Sequence, residues 1–434
     1  MDVHRAVLDK IKVYGAYESK NAYIIRDFLM RSVVTFDWIP VDSIDALRLL
    51  CLKPIPDHFS LPVLEMPSGL LLSNPTIEEI AFNLGWISKP KFEEYDVSIF
   101  GAGPAGLSAA VYAASEGLKT VLVEREAIGG QAGTSSRIEN YLGFPNGITG
   151  ADLAERARQQ AVKFGVDILL IRQSIKAEFI NNKLHVDLID GSKIIAKANI
   201  STTGVTYSRL DILDEDKYLD LGIYYGAGSS EAVLCANEHV FIVGGGNSAG
   251  QAALNFCKHA RKVTMVIRRN DLEATLSYYL LDRLKKIPNI EVLFNSSITE
   301  LHGEGSLKEI TITNSNDLVK SNHPTKFVFV CIGGKPNTRW AEDTAIVRDK
   351  GGYLVTGPDL LKTPFDRAWA GSFDPDYLQT SVPSCFAAGD VRHNSVKRVA
   401  SAVGEGAMAV TFVHRYLHDN IDIWKIIFAN ISPL

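Results

Sequence analysis

The chain has 434 residues, 46% of them hydrophobic and 22% charged, with a formal net charge of −5. This length supports two or three domains with cores of their own. The acidic balance argues against a nucleic-acid surface, no apolar run reaches a membrane span, and the first residues lack the apolar stretch of a secretion signal, so the expected compartment is the cytoplasm.

Residues 1–90 alternate short strand and helix patterns. Strands are predicted at residues 11–14, 34–40 and 61–64, and a helix over residues 23–31. Asn74-Pro75-Thr76 reads as the start of a last helix, with Glu78 and Glu79 favourably placed near its N-terminus. The polar Ser88-Lys89-Pro90-Lys91 reads as a linker.

The next segment opens near Tyr95 with the apolar run Val97-Ser98-Ile99-Phe100. This leads into Gly101-Ala102-Gly103-Pro104-Ala105-Gly106 and a helical stretch. The following apolar run, residues 120–123, ends at Glu124 and Arg125. This is a dinucleotide fingerprint. The first glycine makes the tight turn, the second admits a pyrophosphate and the third lets helix and strand approach. An acid about 20 residues on suits free ribose hydroxyls.

From residue 207 the pattern repeats with a different ending. Val240-Phe241-Ile242-Val243 precedes Gly244-Gly245-Gly246-Asn247-Ser248-Ala249, and the next apolar run closes on Arg268 and Arg269. Arginines in that place suit a ribose 2′-phosphate. Strands are expected at residues 291–294 and 309–313. The chain then reaches Phe386-Ala387-Ala388-Gly389-Asp390 and a final helix from about Gly404. The chain therefore reads as holding two dinucleotides, one FAD-like and one NADPH-like.

The five cysteines (Cys51, Cys235, Cys257, Cys331 and Cys385) form no Cys-x-x-Cys pair and have no zinc spacing. Each is read as a small buried apolar residue. No metal site and no Ser-His-Asp arrangement is expected. Among the scattered histidines, His393 lies closest behind Gly389-Asp390.

From residue 95 onward these ordered features resemble low-molecular-weight thioredoxin reductases and their pyridine-nucleotide disulfide oxidoreductase relatives. The resemblance implies an α/β fold with two Rossmann-like domains, the second inserted in the first. FAD would be bound by residues 95–206 and 340–434, and NADPH by residues 207–339. It assigns Gly130-Gln131 and Asn140 to the flavin-contacting stretch, and Thr203-Gly204 to the close of the first half of the FAD domain. Gly389-Asp390 falls to the ribityl and pyrophosphate region, and Lys397-Arg398-Val399 to the floor under the isoalloxazine. It also implies a homodimer.

One feature of that family is missing. Its redox Cys-x-x-Cys would fall at Ala227 and Ser230, and neither is a thiol. A dithiol relay needs two sulfurs in bonding reach. The acid that follows the dithiol is matched by Glu231, either a proton donor near the flavin or a surface carboxylate. The expected function is hydride transfer from NADPH to FAD and on to oxygen, a quinone, a ferredoxin-like protein or a small molecule. The alternatives are disulfide reduction through a partner's cysteines and a redox-sensing flavoprotein.

Residues 1–90 also resemble a degenerate glutaredoxin or thioredoxin module. Pro62 stands in the place of its cis-proline, and Ser19-Lys20-Asn21-Ala22 replaces its redox cysteines. A generic small α/β module is the alternative reading. Either way its expected role is docking a redox partner or supporting a dimer.

Overall fold

Both apolar runs that precede a glycine motif form central strands of parallel sheets, buried on both faces as such strands must be. The computed structural model describes residues 10–50, 54–181, 183–226, 235–362, 365, 369 and 374–429, with backbone alone for 419–429. The chain divides into two units. One comprises Gly85–Gly133, Ile138–Thr206 and Gly334–Leu434; the other comprises Met1–Leu84, Thr134–Arg137 and Tyr207–Gly333.

In the first unit, Asp167–Leu170, Thr120–Glu124, Tyr95–Phe100 and Lys193–Ser201 lie side by side in parallel. Lys183–Leu188 and Ser174–Ile180 extend the sheet antiparallel. Cys385–Ala387 returns from far along the chain to pair in parallel with the end of Lys193–Ser201. Helices Pro104–Ser115 and Val399–Ala429 pack together in the core of this unit. Their approach is close: a Cβ on Gly406 would stand 2.1 Å from the Ala105 carbonyl oxygen. The final helix starts at Val399, five residues before the expected Gly404. Gly404 and Gly406 look like breakers in a sequence, but here they belong to the helix, and Gly406 provides clearance for its neighbour.

In the second unit, Ile223–Tyr225, Phe327–Val330, His239–Val243, Lys262–Val266 and Ile290–Leu293 form an all-parallel sheet in that order. An antiparallel trio, Ser296–His302, Glu309–Asn314 and Lys320–Pro324, accompanies it. The N-terminal residues of this unit build a four-stranded sheet in the order Phe36–Pro40, Ile11–Gly15, Val63–Glu65, Leu71–Ser73. The first pair is parallel and the others are antiparallel. Helices Lys20–Arg31, Ile44–Leu50 and Ile77–Asn83 complete it.

Thr76 and Glu79 cap the last of these helices reciprocally, which explains why the Asn74-Pro75-Thr76 signal was legible. The Leu61–Pro62 peptide is cis, and the strand begins after it at Val63, not at Leu61. The short Leu71–Ser73 strand and the Ile44–Leu50 helix had no clear pattern. Three residues are too few to show a period of two.

Candidate functional site

The first cradle is built where Tyr95–Phe100 turns into Pro104–Ser115. Gly101 adopts φ +102°, and a Cβ there would meet the Thr202 carbonyl oxygen at 2.5 Å. A Cβ on Gly106 would lie 1.9 Å from the Gly101 carbonyl oxygen. Gly103 caps the helix with no side-chain hydrogen bond and Pro104 opens its first turn, so the helix N-terminus offers backbone N–H groups to an anion. Ala105 is buried. Gly130, at φ +54°, brings its backbone against Gly103. The amide of Gln131 donates to the Val205 carbonyl at 2.8 Å.

Glu124 is buried, and its two carboxylate oxygens accept from the Ala102 N–H (2.7 Å) and the Glu126 N–H (2.8 Å). The acid is therefore fixed before any ligand arrives. Thr203 and Gly204 are tied to Asn337: the Thr203 hydroxyl donates to the Asn337 carbonyl and the Asn337 N–H donates to the Gly204 carbonyl, both at 2.9 Å.

Gly389, at φ +80°, sits against Ala105. Its N–H donates to Glu405 at 2.7 Å. The same Glu405 holds Arg392 through two contacts, Nη2–Oε1 at 2.6 Å and Nε–Oε2 at 3.1 Å, and both side chains are largely buried (4% and 12% exposed). Arg392 also donates to the Thr356 hydroxyl and lies over the Tyr377 ring. The turn that presents Asp390 is thus clamped to the C-terminal helix.

The Asp390 carboxylate accepts no hydrogen bond among the described residues. Burial pushes its pKa up, with Lys397 and Arg398 opposing that shift and Glu405 adding to it. Lys397 places its ammonium 4.4 Å from the centre of the Tyr353 ring, and Arg398 precedes Val399, the first residue of the last helix.

The second cradle follows His239–Val243. Gly244 adopts φ +133°, and a Cβ there would stand 2.3 Å from the Cys331 carbonyl oxygen. Gly246 caps Asn247–Phe256 without a side-chain bond, and a Cβ there would meet nothing within 4 Å. Thr275 donates to the Gly245 carbonyl, and Asn247 exchanges two hydrogen bonds with Ser277. Ser248 is exposed and Ala249 is buried. Arg268 and Arg269 are exposed past the end of Lys262–Val266, and neither pairs with a carboxylate among the described residues.

Both cradles fit the dinucleotides that the sequence anticipates. Each has an uncapped helix N-terminus for a pyrophosphate. Among the described residues, one presents a carboxylate held by two backbone N–H groups and an Asp390 that accepts no hydrogen bond; the other presents two guanidinium groups that pair with no carboxylate, chemistry that suits ribose hydroxyls and a 2′-phosphate respectively.

The remaining expected residues lie less centrally. Arg125 pairs with neighbouring Glu126 at 3.2 Å, and Asn140 is exposed in the loop between the paired Ile138 and Ile148. Glu231, like Ala227 and Ser230, lies outside the described residues. His393 bonds Asp349 at 2.6 Å. Of the described cysteines, Cys235, Cys331 and Cys385 are buried and Cys257 is only partly so, against the expectation for that one. Burial pushes the thiols of Cys331 and Cys385 up to about 12, which keeps them protonated and poor nucleophiles. Sequence reasoning missed Arg392 and Glu405. Their one local sign is the Gly404-Glu405-Gly406 setting, which by itself names no partner.

Residues 95–406 match the family described as pyridine nucleotide-disulphide oxidoreductase. A protein of Clostridium pasteurianum, described as a 34.2 kDa protein in the rubredoxin operon, is 32% identical over 333 residues, 75% of this chain and 98% of that protein. A thioredoxin reductase of Peptoclostridium acidaminophilum is 30% identical over 334 residues, 76% of this chain and 98% of its own. Among solved structures, the thioredoxin reductase of Lactococcus lactis superposes with a TM-score of 0.67 at 27% identity, covering 75% of this chain and all of that one.

Proposed function

Because this chain belongs to the pyridine nucleotide-disulphide oxidoreductase family, as a thioredoxin-reductase-like flavoenzyme using FAD and NADPH, we propose that it oxidises NADPH without a redox dithiol of its own. Electrons pass to oxygen, a quinone, a ferredoxin-like protein or another small acceptor. The observation that carries this reading is the pair of cradles with opposite selectors, Glu124 in one and Arg268 with Arg269 in the other.

FAD is held by residues 95–206 and 340–434, and NADPH by residues 207–339. Bound flavin supplies a two-electron acceptor for the nicotinamide hydride. Glu124 accepts from ribose hydroxyls, and the N–H groups at Gly103 hold the pyrophosphate. Asp390, aimed by the Glu405–Arg392 pair, receives the ribityl hydroxyls. Gly130, Gln131, Asn140, Lys397, Arg398 and Val399 line the flavin. In the other cradle, Gly246 approaches the second pyrophosphate, and Arg268 with Arg269 selects NADPH through its 2′-phosphate.

A second reading is disulfide reduction through cysteines of a partner, with Glu231 donating the proton. It is favoured by relatives that are named thioredoxin reductases. Residues 1–90 are read as a thioredoxin-like module, supported by the sheet order and its parallel first pair. The active form is read as a cytoplasmic homodimer, and a protein acceptor would meet the N-terminal module.

Anaerobic titration of the oxidised protein with NADPH, following the visible flavin band, tests the hydride path. Stoichiometric bleaching by NADPH, and far weaker bleaching by NADH, is the expected result. Bound flavin that neither nucleotide reduces would sink the oxidoreductase reading.

A further inference from the structure

Helix Lys20–Arg31 has two working faces. One buries Ala22, Ile25, Phe28 and Leu29. The other carries Lys20, Tyr23, Asp27 and Arg31, spaced three, four and four residues apart, which is a single stripe on an α-helix. The N-terminal half of that stripe meets the nucleotide-binding part of the same unit. Lys20 pairs with Asp220 at 3.6 Å. Tyr23 lies against Tyr224, with ring centres 5.1 Å apart at 52°, and joins the core cluster that Tyr224, Phe256 and Phe329 belong to. The charges of Arg31 and Asp27 act on the phenol of Tyr207, whose burial pushes its pKa up to about 12. Ahead of the helix, Glu18 pairs with Lys308 at 3.2 Å.

Exposed ion pairs are weak, so the two at the rim register the contact but do not drive it. The aromatic pair does the anchoring. Tyr224 is 8% exposed and stacks on Phe329, a strand residue of the nucleotide sheet, at 5.3 Å.

We infer that residues 10–84 are a resident occupant of the nucleotide-binding domain, seated through Glu18, Lys20 and Tyr23 on Lys308, Asp220 and Tyr224. The seat closes this face to any protein acceptor, so a redox partner must use another surface. The statement about acceptors rests on the oxidoreductase reading; the seat does not.

Zero-length carbodiimide coupling of the full-length protein, read by mass spectrometry, tests the seat, because it joins amines to carboxylates in ion-pair contact. Linked peptides joining Lys20 to Asp220 and Lys308 to Glu18 are expected. When light and heavy isotope-labelled chains are mixed, each should come from within one chain. K20E should abolish the first link and the double reversal K20E/D220K should restore it. Amide exchange at Ile223–Tyr225 should rise roughly 3- to 10-fold in Tyr23→Ala, and should stay at the wild-type level when NADPH is added to wild type. Links between unlike isotopes, absent links, or loss of protection on adding NADPH would overturn the inference. None of these readouts depends on turnover, so a failed flavin titration leaves this test intact.

Discussion

The two nucleotide cradles share a strand–glycine–helix plan and differ in how much of it is already spoken for. Around the first, the selector Glu124 is buried and bonded to two backbone N–H groups, and Gly130 and Gly389 press in from distant parts of the chain. Around the second, the selector arginines stand exposed and pair with no carboxylate among the described residues, while the turn glycine Gly244 is as crowded as Gly101. The selector of the first was desolvated during folding, and the selectors of the second still face solvent. That contrast suits a ligand kept through many turnovers beside one that must leave after each.

The largest expected effects come from a methyl added at the third glycine of the first motif and at the second glycine of the other. Gly106→Ala puts a methyl 1.9 Å from the Gly101 carbonyl oxygen, so no folded, flavin-loaded protein is expected in the absorbance spectrum. Gly246→Ala should change stability by under about 1 kcal/mol in a thermal melt. It should instead weaken NADPH roughly tenfold or more in a binding titration. A folded, flavin-loaded Gly106→Ala protein, or unchanged NADPH binding in Gly246→Ala, would remove the role given to that glycine.

Glu405→Ala comes next. It strands the buried Arg392 guanidinium and the Gly389 N–H, at a cost of about 3–5 kcal/mol. Denaturant melts should show that loss together with flavin release on dialysis, while NADPH affinity stays put. A smaller effect is expected of the double variant R268A/R269A. Removing charge-assisted contacts of about 1.5–3 kcal/mol should cut the preference for NADPH over NADH roughly 10- to 100-fold. Flavin content and melting should not move.

The smallest effect concerns pH. Burial, joined by the nearby Lys262, His323 and Arg261, lowers His239 from 6.5 to about 4, with Glu291 opposing. The unfolded chain therefore takes up this proton before the folded one does. Stability from the neutral ring is complete above pH 6.5 and lost as pH falls towards about 4. In the flavin cradle Asp390 works the other way, since its raised pKa means that acid relieves the cost of burying its charge. Amide exchange at pH 7 and pH 5 should show the nucleotide sheet loosening first. His239→Gln should flatten that response.

What the sequence made legible follows from whether a recurring motif fixes the spacing of the partners. The glycine turns, Glu124 and the arginines are encoded within about 20 residues of each other, and steric rules for such turns are local. The Thr76 cap is local too. The clamp on Asp390 was hidden because no motif names an acid or a guanidinium for that turn; Glu405 meets partners 13 and 16 residues away, and Arg392 reaches Thr356, 36 residues away. The tie between Thr203 and Asn337 spans 134 residues; family resemblance named Thr203 but not its partner. The stripe on Lys20–Arg31 shows a helical period, but nothing in that period says that its polar face would be covered.

The Ser108 hydroxyl, on the first helix of the flavin fold, donates to the Val403 carbonyl across 295 residues. Synthesis runs from the N-terminus and domains fold as they emerge. The nucleotide sheet, complete by Val330, is finished on the ribosome while the flavin socket still lacks one strand and the helix that closes it. Cofactor loading is therefore expected to follow the emergence of the last helix. A chain that stops short of Val399 is expected to keep the nucleotide sheet and to be colourless, which its absorbance spectrum would show.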